Sequence, residues 1–279
     1  MRVRGIHFAL VVSLLAAHTA AIAAPVQAKH ARIELLSQQT TVAPGGNLLL
    51  GIHFLLEPGW HIYWINPGDS GQPPVFEWQL PPGFSAGEIQ WPRPERMQST
   101  PQLADYGYHD QTLLLAPISV PPSLTRTGHT AEIGLEAKWL ICREVCLPDR
   151  AQLHLSLPLG SKGTIDPASA AIFAGTQKLL PKPLPSGWKA SAESRKDDFV
   201  LTVLTGKPIS KADFFPLDAA QVDNAAPQKL APTAGGVKIT LAKSELLVRP
   251  VTVLRGVLVL PGGDAYRLEA PVTPGKGIK

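Results

Sequence analysis

Apolar and polar residues alternate with period two over short stretches of this chain, and proline, glycine or asparagine closes each stretch. Arg32 to Leu36, Asn47 to Leu55, Gln111 to Val120, Thr130 to Leu140 and Ala151 to Leu157 all follow this rule. Period two places alternate side chains on opposite faces of an extended strand. Long helical stripes are missing. The 28 prolines and 24 glycines explain why: proline breaks helices and interrupts central strands, so the chain is confined to short strands joined by turns. The predicted fold class is all-β, an antiparallel sandwich.

The pattern changes between Gly160 and Gly187. One short helix is predicted from Pro167 to Leu180, with Asp166 as N-cap and proline in the first helical position. The proline-rich stretch Pro181, Pro183, Pro185 then reads as a linker. Strand patterns resume at Trp188 to Ala192, Phe199 to Leu204, Val237 to Ala242, Val251 to Leu260 and Tyr266 to Ala270, enough for a second, smaller β domain. The expected organisation is a leader over 1–28, a sandwich over 29–160, a linker with a short helix over 161–187 and a second β domain over 188–275.

The N-terminus reads as an export signal. Arg2 and Arg4 precede the apolar run Phe8 to Ala17, which is too short to span a bilayer. Small-residue cleavage sites follow at Ala21-Ile22-Ala23 and Val26-Gln27-Ala28. An uncleaved anchor is the alternative. Val251 to Leu260, the other apolar run, is short and carries Arg255. The expectation is therefore a periplasmic protein with no transmembrane segment after signal cleavage. The net charge of +4 is small and its cations are scattered, which argues against a nucleic-acid partner.

The two cysteines, Cys142 and Cys146, sit four apart with an extended run on either side. A β-hairpin with the pair at its neck brings two Cα atoms within disulfide range. On residues alone three uses stay open: a redox pair, a structural staple, or a metal site. A five-residue loop gains only about 2 kcal/mol from closure, little for a two-domain chain. Arg143 would favour a thiolate and Glu144 would oppose it. Upstream, Trp60, His61, Tyr63 and Trp64 read either as core aromatics of one strand or as a wall beside the cysteines, with His61 as a proton acceptor. Asn66-Pro67-Gly68-Asp69-Ser70-Gly71 reads first as a turn-rich loop, and second as a segment with a role near the site.

Three stretches together resemble the periplasmic N-terminal domain of the DsbD thiol:disulfide interchange family, in particular its ScsB branch. They are Pro58 to Gly71, Tyr106-Gly107-Tyr108, and Trp139 to Cys146, and they span residues 30–160 in consistent order. The resemblance implies an immunoglobulin-like fold and an electron carrier in which Cys142 and Cys146 are catalytic. It also implies a membrane-embedded thiol reductase as electron donor, thioredoxin-fold periplasmic proteins as acceptors, and no cofactor. A cap loop shields the cysteines in that family. Asp105, Tyr106 and Tyr108 match it, with His61 and Tyr63 beside the pair. The sequence lacks the family's membrane electron-transfer domain and its thioredoxin-like domain, so the donor is expected to be a separate protein. Its cysteine spacing is shorter, and only Asp105 answers to the acidic pair of the family's cap. Two other functions compete. One is copper binding or copper tolerance, with soft ligands at Cys142 and Cys146 and help from His61, His109 or Met97. The other is a β-sandwich interaction module with a structural disulfide.

Overall fold

The computed structural model describes residues 24–124 and 130–275. The apolar run and charged start of the expected leader, and the cleavage position at Ala23, lie outside the described residues. The first sandwich contains β1 (Val26–Ala28), β2 (Ala31–Ser37), β3 (Asn47–Leu56), β4 (His61–Gly68), β5 (Val75–Gln79) and β6 (Ser85–Ala86). It continues with β7 (Glu95–Thr100), β8 (Leu103–His109), β9 (Gln111–Ser119), β10 (Thr130–Cys142) and β11 (Cys146–Pro158). One sheet has the order β1-β2-β3-β9-β6. The other has the order β11-β10-β4-β8-β7, with β5 also paired to β10. The pairings within both sheets are antiparallel, and the fold is an all-β, immunoglobulin-like sandwich.

Alternation builds the core between the sheets. Ile33 and Leu35, then Leu50, Ile52 and Phe54, then Leu114 and Ala116 point inward from one sheet; Ile62, Trp64, Leu135 and Ile141 answer from the other. β9 carries an unbroken apolar run because both of its faces are covered. Its outward Leu113 and Leu115 are buried under Phe173 of helix α1 (Ala170–Leu179). The expected linker therefore packs its helix on the sandwich. That helix starts three residues later than Pro167, because Asp166 spends its carboxylate on the Ala168 amide and its carbonyl on the Ala170 amide. Asp166 thus closes a turn before the helix, and Ser169 occupies the N-cap position. β1 pairs with β2. Cleavage after Ala28 would remove this strand, whereas cleavage after Ala23 would leave it intact.

The second unit contains β12 (Lys182–Pro183), β13 (Lys189–Ser194), β14 (Asp198–Leu204), β15 (Asp213–Pro216), β16 (Lys229–Thr233), β17 (Gly236–Ala242), β18 (Val253–Val259) and β19 (Ala265–Pro274). They form a sheet of order β15-β18-β19-β13-β14-β17-β16, with β12 beside β19. Its core holds Phe199, Leu201, Val203, Ile239, Leu241, Leu254 and Leu268. The two units share apolar contact. Phe215, Val257 and Val259 join the core of the first sandwich, and Phe215 meets Trp64 and Tyr106 edge-on at 6.5 and 5.3 Å. Among the described residues, no helix is long and apolar enough to cross a membrane.

Candidate functional site

β10 and β11 form a hairpin of thirteen register pairs, from Thr130–Pro158 to Cys142–Cys146. Arg143 to Val145 close it, with the Arg143 amide donating to the Val145 carbonyl at 3.2 Å. The last pair is a disulfide with its Cα atoms 4.1 Å apart. So long a ladder holds its own register, and the roughly 2 kcal/mol of loop closure adds little to it. The two half-cystines differ in environment: Cys142 is 2% exposed, whereas Cys146 lies in the exposed tip next to Val145, itself 61% exposed.

The sheet extends this pair into a row. Cys142 is opposite His61 on β4, and His61 is opposite His109 on β8. Paired residues on neighbouring strands share a face, and so do residues two apart. His61 and Tyr63 therefore stand on the disulfide face, their rings meeting edge-on at 5.3 Å. Trp60, Ile62 and Trp64 fall on the core side. Strand parity thus divides the aromatic stretch: its tryptophans belong to the core, and His61 and Tyr63 form the wall.

The Tyr63 hydroxyl lies 3.4 Å from Cys146 Sγ and 3.4 Å from Ser70 Oγ. Ser70 donates both its amide and its hydroxyl to the Asp105 carboxylate, each at 2.8 Å. With the serine proton committed to Asp105, the phenol proton is the one shared between Ser70 Oγ and Cys146 Sγ. Burial raises the Tyr63 pKa, the bond to Ser70 works against that, and Asp105 adds to it. The phenol therefore stays protonated at neutral pH and remains a donor. Gly71 closes the loop against the Tyr63 ring at φ +70°, and an added Cβ there would lie 2.1 Å from Cζ. The turn-rich stretch at 66–71 is thus the segment that holds Tyr63 on the disulfide.

The expected cap is placed differently. Asp105 to Tyr108 belong to β8 rather than to a loop. Asp105 faces the site through Ser70. Tyr106 and Tyr108 have the opposite parity and are buried in the core, where they shield no sulfur. The Tyr106 hydroxyl bonds to Asn224, and the Tyr108 hydroxyl donates to the Pro92 carbonyl at 2.8 Å. Arg143 is exposed, with its guanidinium over Trp60, 5.3 Å from the ring centroid, and His30 stacks on the same indole at 3.8 Å. An open groove of about 640 Å³ runs beside the hairpin neck, lined in part by Gln72, Pro73, Leu140 and Pro148. Among the described residues, no group of three or more His, Cys, Asp or Glu side chains is arranged to hold a metal ion. Met97 pairs with Asp105, and His109 lies 3.5 Å from Glu95.

Sequence reasoning reached Ser70 and Gly71 only as members of a loop with a secondary role near the site, and singled out neither. Their nearness to His61 and Tyr63 in the chain, through a loop rich in turn formers, was the available signal. It also missed Asn224, which has no local signature.

Residues 32–158 match the family model described as thiol:disulfide interchange protein DsbD, N-terminal. This segment belongs to the DsbD N-terminal domain family. The match covers both sheets of the first sandwich and the cysteine hairpin. A solved structure, the N-terminal periplasmic domain of ScsB from Proteus mirabilis, superposes with a TM-score of 0.66 at 14% identity, covering 88% of this chain and 94% of that one. This likeness extends the shared fold into the second β unit. A search of the curated proteins finds no significant match.

Burial pushes the His61 imidazole below its ordinary value; Asp105 opposes this and His109 adds to it. A lowered folded-state value means that the unfolded chain takes up the proton first as pH falls. The stabilisation is complete above the unfolded value, about 6.5, and is lost as pH drops through it. The urea midpoint of the oxidised protein is therefore expected to fall between pH 7.5 and 5.5, and to fall less in His61→Gln. An identical slope in the variant would exclude His61 as the source.

Proposed function

We propose that this chain is a periplasmic electron carrier working by thiol–disulfide exchange at Cys142 and Cys146. The observation that carries this reading is the asymmetry of the pair: an exposed Cys146 beside a phenol donor, bonded to a buried Cys142. A donor thiolate attacks Cys146 Sγ, the S–S bond breaks, and Cys142 leaves as the thiolate. The second donor thiol then resolves the mixed disulfide, so the donor is oxidised and the pair gains two electrons and two protons. Reduced Cys146 repeats the attack on an acceptor disulfide, and Cys142 resolves that intermediate. In this reading His61, paired with Cys142 and held toward its neutral form by burial, takes up and returns the proton of the buried thiol.

The donor in this reading is a membrane-embedded thiol reductase, and the acceptors are periplasmic proteins of thioredoxin fold. Family membership and the likeness to a periplasmic domain support it, as does the export signal. The test mixes the reduced protein with an oxidised thioredoxin-fold protein and counts thiols on both. The expected result is stoichiometric transfer, two thiols lost here for two gained there. A pair that transfers nothing, with a potential below about −300 mV, would mark a structural disulfide instead.

A further inference from the structure

The loop that holds Tyr63 on the disulfide is itself held from the second domain. Asn224 is a buried residue, 5% exposed, between β15 and β16. Its Nδ2 donates to Asp69 Oδ1 at 2.8 Å, and its Oδ1 accepts from the Tyr106 hydroxyl at 3.1 Å. Its carbonyl accepts from Arg96, which also reaches the Ala226 carbonyl at 2.9 Å. Asp69 in turn accepts from the Ala104 amide at 2.8 Å and precedes Ser70, whose two bonds to Asp105 orient it toward Tyr63. The bonds run without a break from Asn224 through Asp69 and the adjoining Ser70 to Tyr63 and Cys146 Sγ.

We infer that Asn224 is a positioning residue for the cysteine pair, through which the second domain keeps the Tyr63 hydroxyl on Cys146. The physical reason is donor arithmetic. Asp69 is an acceptor on both oxygens and needs a donor on each. Ala104 supplies one and Asn224 the other. Asp69 itself stands at an exposed position, so without Asn224 its oxygen turns to water and the loop, no longer tied to the buried Asn224, shifts outward. That movement takes Ser70 and Gly71 away from Tyr63. Its consequence appears on reduction, when Cys146 can become a thiolate and the phenol proton favours the negative sulfur over Ser70. Asp105, behind Ser70, opposes a thiolate, whereas the phenol, 3.4 Å from Cys146 Sγ, favours one.

This inference rests on the reading of Cys142 and Cys146 as a pair that is reduced in use. Its test needs no partner protein. The full-length protein is reduced with dithiothreitol, and the rate at which iodoacetamide alkylates Cys146 is followed against pH by peptide mass spectrometry. Asn224→Ala is expected to move the Cys146 profile up by about one pH unit. Asn224→Asp should do the same, since it sets two carboxylates face to face. The swap Asp69→Asn with Asn224→Asp restores one donor and one acceptor at unchanged net charge and should return the profile to that of the wild type. A folded Asn224→Ala protein with an unmoved profile overturns the inference, even if its unfolding temperature drops. If Asn224→Ala does not fold, Asn224→Asp and its swap decide: equal profiles in the two overturn it. Failure of the carrier reading would show separately, as wild-type reduced protein that passes no electrons to a thioredoxin-fold disulfide.

Discussion

Cys142→Ser is expected to accumulate as mixed disulfides with partner proteins, while Cys146→Ser forms almost none. The two substitutions remove the same bond and the same roughly 2 kcal/mol of loop closure, so their thermal midpoints should fall together. Only their exposure differs. Cys142→Ser leaves the exposed Cys146 beside the Tyr63 donor, able to attack a partner disulfide but with no second thiol to resolve the product. Cys146→Ser leaves a thiol at a position 2% exposed. A partner sulfur must line up behind the bond it breaks, and a buried thiol offers no such approach. Both variants should lose electron transfer by at least about a thousandfold, since each member of the pair is needed for turnover. Trapping followed by non-reducing electrophoresis and mass spectrometry separates them. Equal trapping by both variants, or more by Cys146→Ser, would reverse the assignment of the attacking sulfur.

The cysteine pair and its hairpin were legible because their signals are local. The run Thr130 to Leu140 reads as a strand on its alternation alone, and the observed strand extends it by two residues to Cys142. The parity of His61 and Tyr63 against Trp60 and Trp64 was also present in the sequence, as one strand with two faces. What the pattern could not say was which face the hairpin joins. The pairing of Cys142 with His61 decides that, and it joins residues 81 positions apart in the chain. Asp105 to Tyr108 show the converse error. The resemblance implied a cap loop here, yet Gly107 lies in a strand, where an added Cβ would sit 2.1 Å from the Ile62 carbonyl oxygen. Its smallness serves close strand approach rather than turning. Asn224 was beyond any local reading, because it acts on Asp69 across 155 residues. Likewise the run Gln111 to Val120 reads as alternating, and only the packing of Phe173 shows why its outward Leu113 and Leu115 are buried as well.

Gly71→Ala is expected to cost about 2 kcal/mol or more of stability and to lower the thermal midpoint by roughly 4–8 °C. Two effects add at this position. The backbone sits at φ +70°, where an alanine is strained, and the new methyl would lie 2.1 Å from Tyr63 Cζ. The ring cannot yield without taking its hydroxyl off Cys146, so the same substitution should shift the alkylation profile of the reduced cysteine. Gly187→Ala separates the two effects. It has φ +91° and nothing within 4 Å of an added Cβ, so it carries the backbone strain without the collision. Its expected cost is about 1 kcal/mol, with no change at Cys146. The difference between the two alanines therefore measures how firmly the loop presses Tyr63 into place. If the two cost the same and Cys146 reacts identically in both, the ring is not held by that contact, and the loop's grip on the disulfide must pass through Ser70 alone.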